Sequence, residues 1–217
     1  MSTSGSAPQP TPTPQRRPPV GADVACIFLK FGENLFRRFA LPLQMDPIHQ
    51  TRLEAYFITF SCYGQHLPGD ERGWIDRSNN TVGLRCRESA PDLEFFCRRQ
   101  MKQDPYRMDA ARRRIVLASL RKACHVKGWN LLAAHVRETH VHVVLQANYP
   151  AERVMNALKS NASRALNRAK IDPPGRLRWA RHGSTRRVGD LGQLERALRY
   201  VVEEQGEPMS VFVSPLR

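Results

Sequence analysis

The alternation of apolar and polar positions along the chain becomes regular at Tyr56. The run Tyr56–Tyr63 is aromatic and β-branched and stops at Gly64, which reads as a strand. Turn residues follow from Leu67-Pro68-Gly69-Asp70 to Gly73. Residues 81–107 are polar and irregular, with room for a short helix around Leu93–Met101. Ala110–Lys127 carries a helical period, with Val116, Leu120, Ala123 and Lys127 on one face and Gly128 as its stop. Trp129–Val136 and Val141–Ala147 are two strands joined tightly near Glu138-Thr139. Ala151–Ala169 is amphipathic, with Val154, Leu158, Ala162, Ala165 and Leu166 inward. Arg176–Val188 contains a further strand, and Leu191–Glu204 is a last helix that buries Leu191, Leu194, Leu198 and Val201 before Gly206 and Pro208 end it. The order β-α-β-β-α-β, then α, predicts an α+β fold: a ferredoxin-like split βαβ palm with an added C-terminal helix.

Upstream of this pattern the chain changes character. Residues 1–20 are rich in Pro, Ser and Thr, lack a signal-peptide apolar region and read as disordered. The expected division is therefore a disordered or loosely attached extension, 1–44, and one folded domain, 45–217. Two readings of the extension stand side by side: Met45 is the native start, or the extension is real and only loosely held. The five cysteines share no C-x-x-C pair, which argues against a disulfide framework or a structural zinc site and for a reducing cytoplasm. No apolar run reaches the roughly 20 residues needed to cross a bilayer, so no membrane partner is expected.

The formal charge of +14 favours a polyanion as partner, and its placement sharpens the case. Between Lys159 and Arg187 there are nine Lys and Arg against one acid, Asp172. Ser160, Ser163 and Asn167 share a helix face within that stretch, and Trp179 interrupts it. Cations can track phosphates, hydroxyl and amide groups can bond backbone or base edges, and an indole can stack on an unpaired base. The candidate DNA-binding set is Lys159, Ser163, Arg164, Arg168, Arg178, Trp179, Arg181, Arg186 and Arg187.

Candidate chemistry begins at His140-Val141-His142. Alternate residues of a strand share a face, so both imidazoles could take adjacent positions around one divalent ion. With a two-residue turn at Glu138-Thr139, His135 would lie opposite His142 and face the same way, in a supporting role. Of the five tyrosines, Tyr200 sits on the polar side of the last helix, with Arg196 one turn before and Glu204 one turn after. A phenol with an ordinary pKa near 10 is a weak nucleophile, and a metal-polarised phosphate would make its attack plausible.

These residues together resemble the HUH single-tyrosine transposases, the insertion-sequence and REP-associated tyrosine transposases. His140-Val141-His142 resembles the HUH signature. The helix with Leu158-Lys159, Ser163-Arg164 and Asn167 is similar to the one that comes after that signature. Arg178-Trp179-Ala180-Arg181 then precedes a last helix carrying Tyr200, and Tyr63-Gly64 through Gly73 looks like the opening of one bacterial branch. The resemblance covers about Tyr56 to Pro208. It implies a palm holding Mg2+ or Mn2+ on His140 and His142. It also implies a nucleophile, Tyr200, that forms a 5′-phosphotyrosine link and frees a 3′-OH, and single-stranded or hairpin DNA as substrate. The third ligand in such proteins is commonly Gln four residues after the tyrosine; here that position is Glu204, with Gln205 next. On a regular helix Glu204 lies about 40° round from Tyr200 and Gln205 about 140°, which favours Glu204 unless a local bulge intervenes.

The alternative is a catalytically inactive, domesticated hairpin-DNA-binding protein with the same fold. A zinc deaminase would need H-x-E and P-C-x-x-C, which are missing, and a two-histidine phosphoesterase would need a second H-x-T/S repeat. Monomer and homodimer are equally compatible with the sequence. A chain started at Met45 is expected to express, fold and act as the full chain does; loss of solubility or activity would show that Cys26–Phe31 packs on the domain.

Overall fold

The computed structural model describes residues 54–71, 73–74 and 87–215. The extension 1–44, the Met45 start and the stretch Cys26–Phe31 lie outside the described residues. In chain order the elements are β1 (Glu54–Ser61), α1 (Pro91–Arg99), α2 (Ala110–Val126), β2 (Asn130–Val136), β3 (His140–Ala147), α3 (Ala151–Arg168), β4 (Ser184–Val188), α4 (Leu191–Val202) and β5 (Ser210–Val213). The strands form one sheet in the order β4-β1-β3-β2-β5, every neighbouring pair antiparallel. β3 lies between β1 and β2, which is the split βαβ arrangement expected from the sequence.

The alternation in β1 has a direct structural meaning. Tyr56, Ile58, Phe60 and Cys62 are buried and join one continuous core with Val141, Val143 and Leu145 of β3. Val116, Leu120 and Ala123 of α2 and Val154, Leu158, Ala162 and Leu166 of α3 close that core from above. The α2 N-terminus is capped by Asp109, whose carboxylate accepts from the Arg112 amide, and the α4 N-terminus by Asp190, which accepts from Gln193. Both satisfy donors that a helix start leaves unpaired.

The opposite sheet face is covered by α4, which lies against β2, β3 and β4 and buries Ala197, Leu198 and Val201. Two inward assignments need correcting. Leu191, the first residue of α4, is 64% exposed, and Lys127 is an exposed C-cap of α2.

The sheet also has a strand that the pattern did not predict. β5 is four residues long and pairs with β2, and Ser214 N–H closes it onto Leu132 O. In β2 the register shifts between Leu131 and Ala133. This bulge matters for the face assignment. Leu131 and Ala134 both join the core, so the extra residue re-aims the rest of the strand and puts His135 on the α4 side.

The lone acid of the basic stretch is a structural hub. Asp172 accepts from Tyr106 Oη at 2.8 Å, from Arg112 Nε at 2.9 Å and from Arg178 Nε at 2.8 Å. Arg112 also donates to Ile171 O, so the loop after α3 is tied to the start of α2. Burial alone would raise the Asp172 pKa, but the bonds from Arg178, Tyr106 and Arg112 outweigh it and hold it below the ordinary value. A depressed folded pKa means the network's contribution is complete above the unfolded value of about 3.9 and is lost as pH falls through the folded one. Asp172→Asn leaves Arg178 buried without its counter-charge and is expected to cost about 3–5 kcal/mol at neutral pH. Thermal unfolding followed across pH should also show a shallower acid limb in the variant; unchanged unfolding curves would refute the hub.

Candidate active site

Strand pairing assembles the site. Thr59 on β1, His142 on β3 and His135 on β2 lie directly opposite one another, with Ser184 of β4 and Val211 of β5 at the two ends of the rank. One step along, Ser61 is opposite His140, and the Arg137 N–H donates to His140 O across the Glu138-Thr139 turn. Gly183, just before β4, has no room for a side chain: a Cβ there would stand 2.5 Å from Thr59 O. β4 is thereby held close against the strand that supports His142.

His140 and His142 are edge-on neighbours, ring centroids 4.7 Å apart. Each is steadied through Nδ1 by a threonine hydroxyl, Thr139 at 3.0 Å from His140 and Thr59 at 2.8 Å from His142. This leaves Nε2 of both rings for another partner. The Gln205 side chain lies beside both imidazoles and favours their protonated forms, against the larger effect of burial. Its Nε2 donates to Tyr200 O at 3.1 Å, so the carboxamide oxygen is the atom left for the histidines. Burial, then repulsion from His66 and Arg137, pushes the His140 pKa down to about 4. Burial, then His140, pushes His142 down to about 3. Both rings are neutral at pH 7, the form that binds a metal.

Tyr200 stands over this pair. Its ring meets His142 edge-on at 5.5 Å and Phe57 at 5.7 Å, and it is 39% exposed. The other tyrosines are engaged elsewhere. Tyr56 Oη donates to Glu54, Tyr63 Oη accepts from Lys102 N–H, Tyr106 Oη donates to Asp172, and Tyr149 packs near Trp129 beyond the far end of β3. Of the five, Tyr200 is the one at the histidines.

His135 is fully buried on the same wall, as the turn geometry anticipated. Its Nδ1 lies 3.0 Å from Val201 O, and Met209 N–H donates to Nε2 at 3.3 Å. With both nitrogens occupied it clamps the chain on either side of Gln205, and has none left to support another imidazole. Glu204, favoured by helical extrapolation, instead pairs with Arg199 at 3.3 Å. The extrapolation fails because α4 ends at Val202 and the chain turns through Gly206, φ +71, which swings Gln205 inward. Among the described residues no three His, Cys, Asp or Glu side chains are grouped to hold a metal. The side chains gathered here that could offer donors to a divalent cation are His140, His142 and Gln205.

The basic stretch divides into two populations. Lys159 is buried, with Nζ donating to Ala180 O and His182 O at 3.0 Å, and Arg178 is buried on Asp172. Trp179 packs edge-on against Phe60 and donates from Nε1 to Ser163 Oγ and Lys159 O. These interactions correct the DNA-facing set: Lys159, Arg178 and Trp179 fasten the segment after α3 to the core, and Ser163 serves Trp179. Arg164, Arg168, Arg181, Arg186 and Arg187 remain exposed, Arg187 in an ion pair with Glu54. Arg186 is opposite Phe57, on the face that carries Tyr200. Sequence reasoning missed Thr59, Phe57, Arg137 and His66; strand register could have found the first two.

An α+β palm with a histidine pair on its central strand and a tyrosine over that pair is the class that this arrangement defines. Residues 100–204 match the model of the IS200-like transposases. Two solved structures are similar. One is a REP-associated tyrosine transposase bound to a REP hairpin, 8% identical, covering 74% of this chain and 72% of its own, TM-score 0.39. The other is a candidate transposase from Deinococcus radiodurans R1, 14% identical, covering 70% and 92%, TM-score 0.38. A search of the curated proteins finds no match.

Nucleic-acid affinity should fall steeply with salt, because each neutralised phosphate releases counterions. Neutralising Arg164, Arg168, Arg181 and Arg186 together is expected to lower the slope of log K against log salt by about three to four. Lys159→Met should leave the slope alone and lower the melting temperature. The opposite pattern would overturn this division of the cations.

Proposed function

We propose that this chain is a DNA transposase that binds hairpin-flanked DNA and cuts and rejoins it as a single strand through Tyr200. The observation that carries this reading is the contact of the Tyr200 ring with His142, which is itself edge-on to His140. His140, His142 and Gln205 would hold Mg2+ or Mn2+, which when bound polarises the scissile phosphate.

The chain's own groups account for the rest. Tyr200 Oη forms a bond to phosphorus, the P–O3′ bond breaks, and the phenolic proton ends on the departing 3′ oxygen. The products are a 5′-phosphotyrosine ester and a free 3′-OH. Rejoining reverses the exchange: a 3′-OH attacks phosphorus and the tyrosyl oxygen leaves. One phosphodiester replaces another at each step, so no external energy source is required. The Thr59 and Thr139 hydroxyls keep each imidazole oriented with Nε2 inward. The exposed arginines of α3, the 181–183 turn and β4 would carry the DNA backbone, in the cytoplasm and with 1–44 dispensable.

Incubation with labelled single-stranded DNA from the flanks of its own gene, with Mg2+ or Mn2+, should give a covalent adduct that peptide mapping places on Tyr200. Tyr200→Phe removes one oxygen and little packing, so the adduct should vanish while folding and DNA affinity barely change. His140→Ala or His142→Ala should slow cleavage by more than about 100-fold, since even outer-shell partners of ligands are worth about 10–100-fold. Adducts on another tyrosine would displace Tyr200, and hairpin binding without any adduct would favour a binding protein that no longer cuts.

A further inference from the structure

Arg137 closes the β2–β3 turn directly across from His140, on the face that bears both histidines, and its guanidinium has a distinctive set of partners. Nη1 donates to Glu207 O at 3.1 Å and stands 3.5 Å from His135 Nε2. Among the described residues Nε and Nη2 have no protein acceptor and no carboxylate pairs with the group. Two acids close in sequence to the site are taken: Glu138 by Arg107 and Glu204 by Arg199. Arg137 is half-buried, so these donors are reachable from solvent. The charge is felt across the site, since it helps hold down the pKa of His135, His140 and His142 alike. A planar cation anchored by one nitrogen, with its other donors open beside neutral imidazoles, is complementary to an anion with paired oxygens.

We propose that Arg137 is a phosphate-binding residue of this site, its guanidinium taking a non-bridging oxygen of the DNA phosphodiester that lies at the histidine pair. The proposal rests on the reading of the site as a DNA-cutting one and adds a residue to it. The anchor at Glu207 O fixes the guanidinium relative to the turn that carries Gln205, so it would meet the phosphate beside the side chains that would hold the metal ion. The negative charge that grows on the non-bridging oxygens during the exchange would strengthen this contact.

The test is a scan of single methylphosphonate replacements along a labelled single-stranded oligonucleotide from the gene's flank, with binding measured for the full-length chain. In the wild type the phosphate at the histidine pair is expected to weaken binding about tenfold when replaced, in addition to the positions held by the exposed arginines. In Arg137→Gln the same replacement should cost nothing further, because the charge it removes has lost its partner. Arg137→Lys keeps a cation and a donor for Glu207 O and should recover part of the effect at an unchanged melting temperature. A scan identical in wild type and Arg137→Gln would overturn the proposal, as would loss of binding that tracks only loss of folding in both variants. The scan needs no cleavage, so it stands apart from the adduct experiment: absence of any adduct would refute the cutting reading while the scan still decides whether Arg137 holds a phosphate.

Discussion

The site depends on a buried imidazole that binds no ligand. His135 lies inside the molecule with both ring nitrogens engaged, one on the Val201 carbonyl and one on the Met209 amide. Leaving either unpaired at zero exposure would cost about 1–3 kcal/mol, so the two bonds form together or the ring cannot be buried. Val201 follows Tyr200 and Met209 follows the turn that carries Gln205. One side chain thus sets both the height of the tyrosine over the sheet and the direction of the amide. β5 completes the constraint by returning the chain along β2, which places the Met209 amide within reach. The strand absent from the sequence reading is part of what holds the site together.

A second constraint separates cations that build the fold from cations that face outward. A stretch with nine positive charges and one negative would be costly to fold if all had to lie together. The structure relieves it by burying Arg178 on Asp172, with Arg112 and Tyr106 as the other partners, and by capping Lys159 with two carbonyls and the Phe60 ring. Burial lowers the Lys159 pKa, and its attraction to Glu152 opposes the shift. The arginines left outside therefore project from a segment already fastened at several points. An anion that bound there would not have to order it first.

The parts of the molecule legible in the sequence are those set by local periodicity. The two-residue alternation of β1 and the helical stripes of α2 and α3 led to the palm because one face of each is apolar and the other is not. His140 and His142 were found as a pair because a strand's period is two. Helical phase separated Tyr200 from its apolar neighbours. The features that escaped depend on contacts between distant segments or on a local break in regularity. The Leu131/Ala133 register shift decides which face His135 takes, although a count from the turn arrives at the same answer. The end of α4 at Val202 exchanges Glu204 for Gln205. The burial of Lys159, Arg178 and Trp179 is set by Asp172, the 180–182 carbonyls and Phe60, none of which is near them in a helical or strand period. β5 is too short for any period to show.

The exchange of Glu204 for Gln205 carries a chemical consequence beyond geometry. A carboxylate against two neutral, buried imidazoles would raise their pKa values and favour an imidazolium–carboxylate pair, a closed arrangement with no need of a cation. The Gln205 amide offers oxygen without charge, and repulsion from Arg137 opposes protonation of the same rings. The histidines are kept as neutral donors, and the net charge around them stays positive. All of these groups, Tyr200 included, come from one chain, so the juxtaposition of the tyrosine and the histidine pair is complete within a single copy. A positive, neutral-donor pocket beneath a partly exposed phenol suits a phosphodiester, and it is the early end of one helix that makes it so.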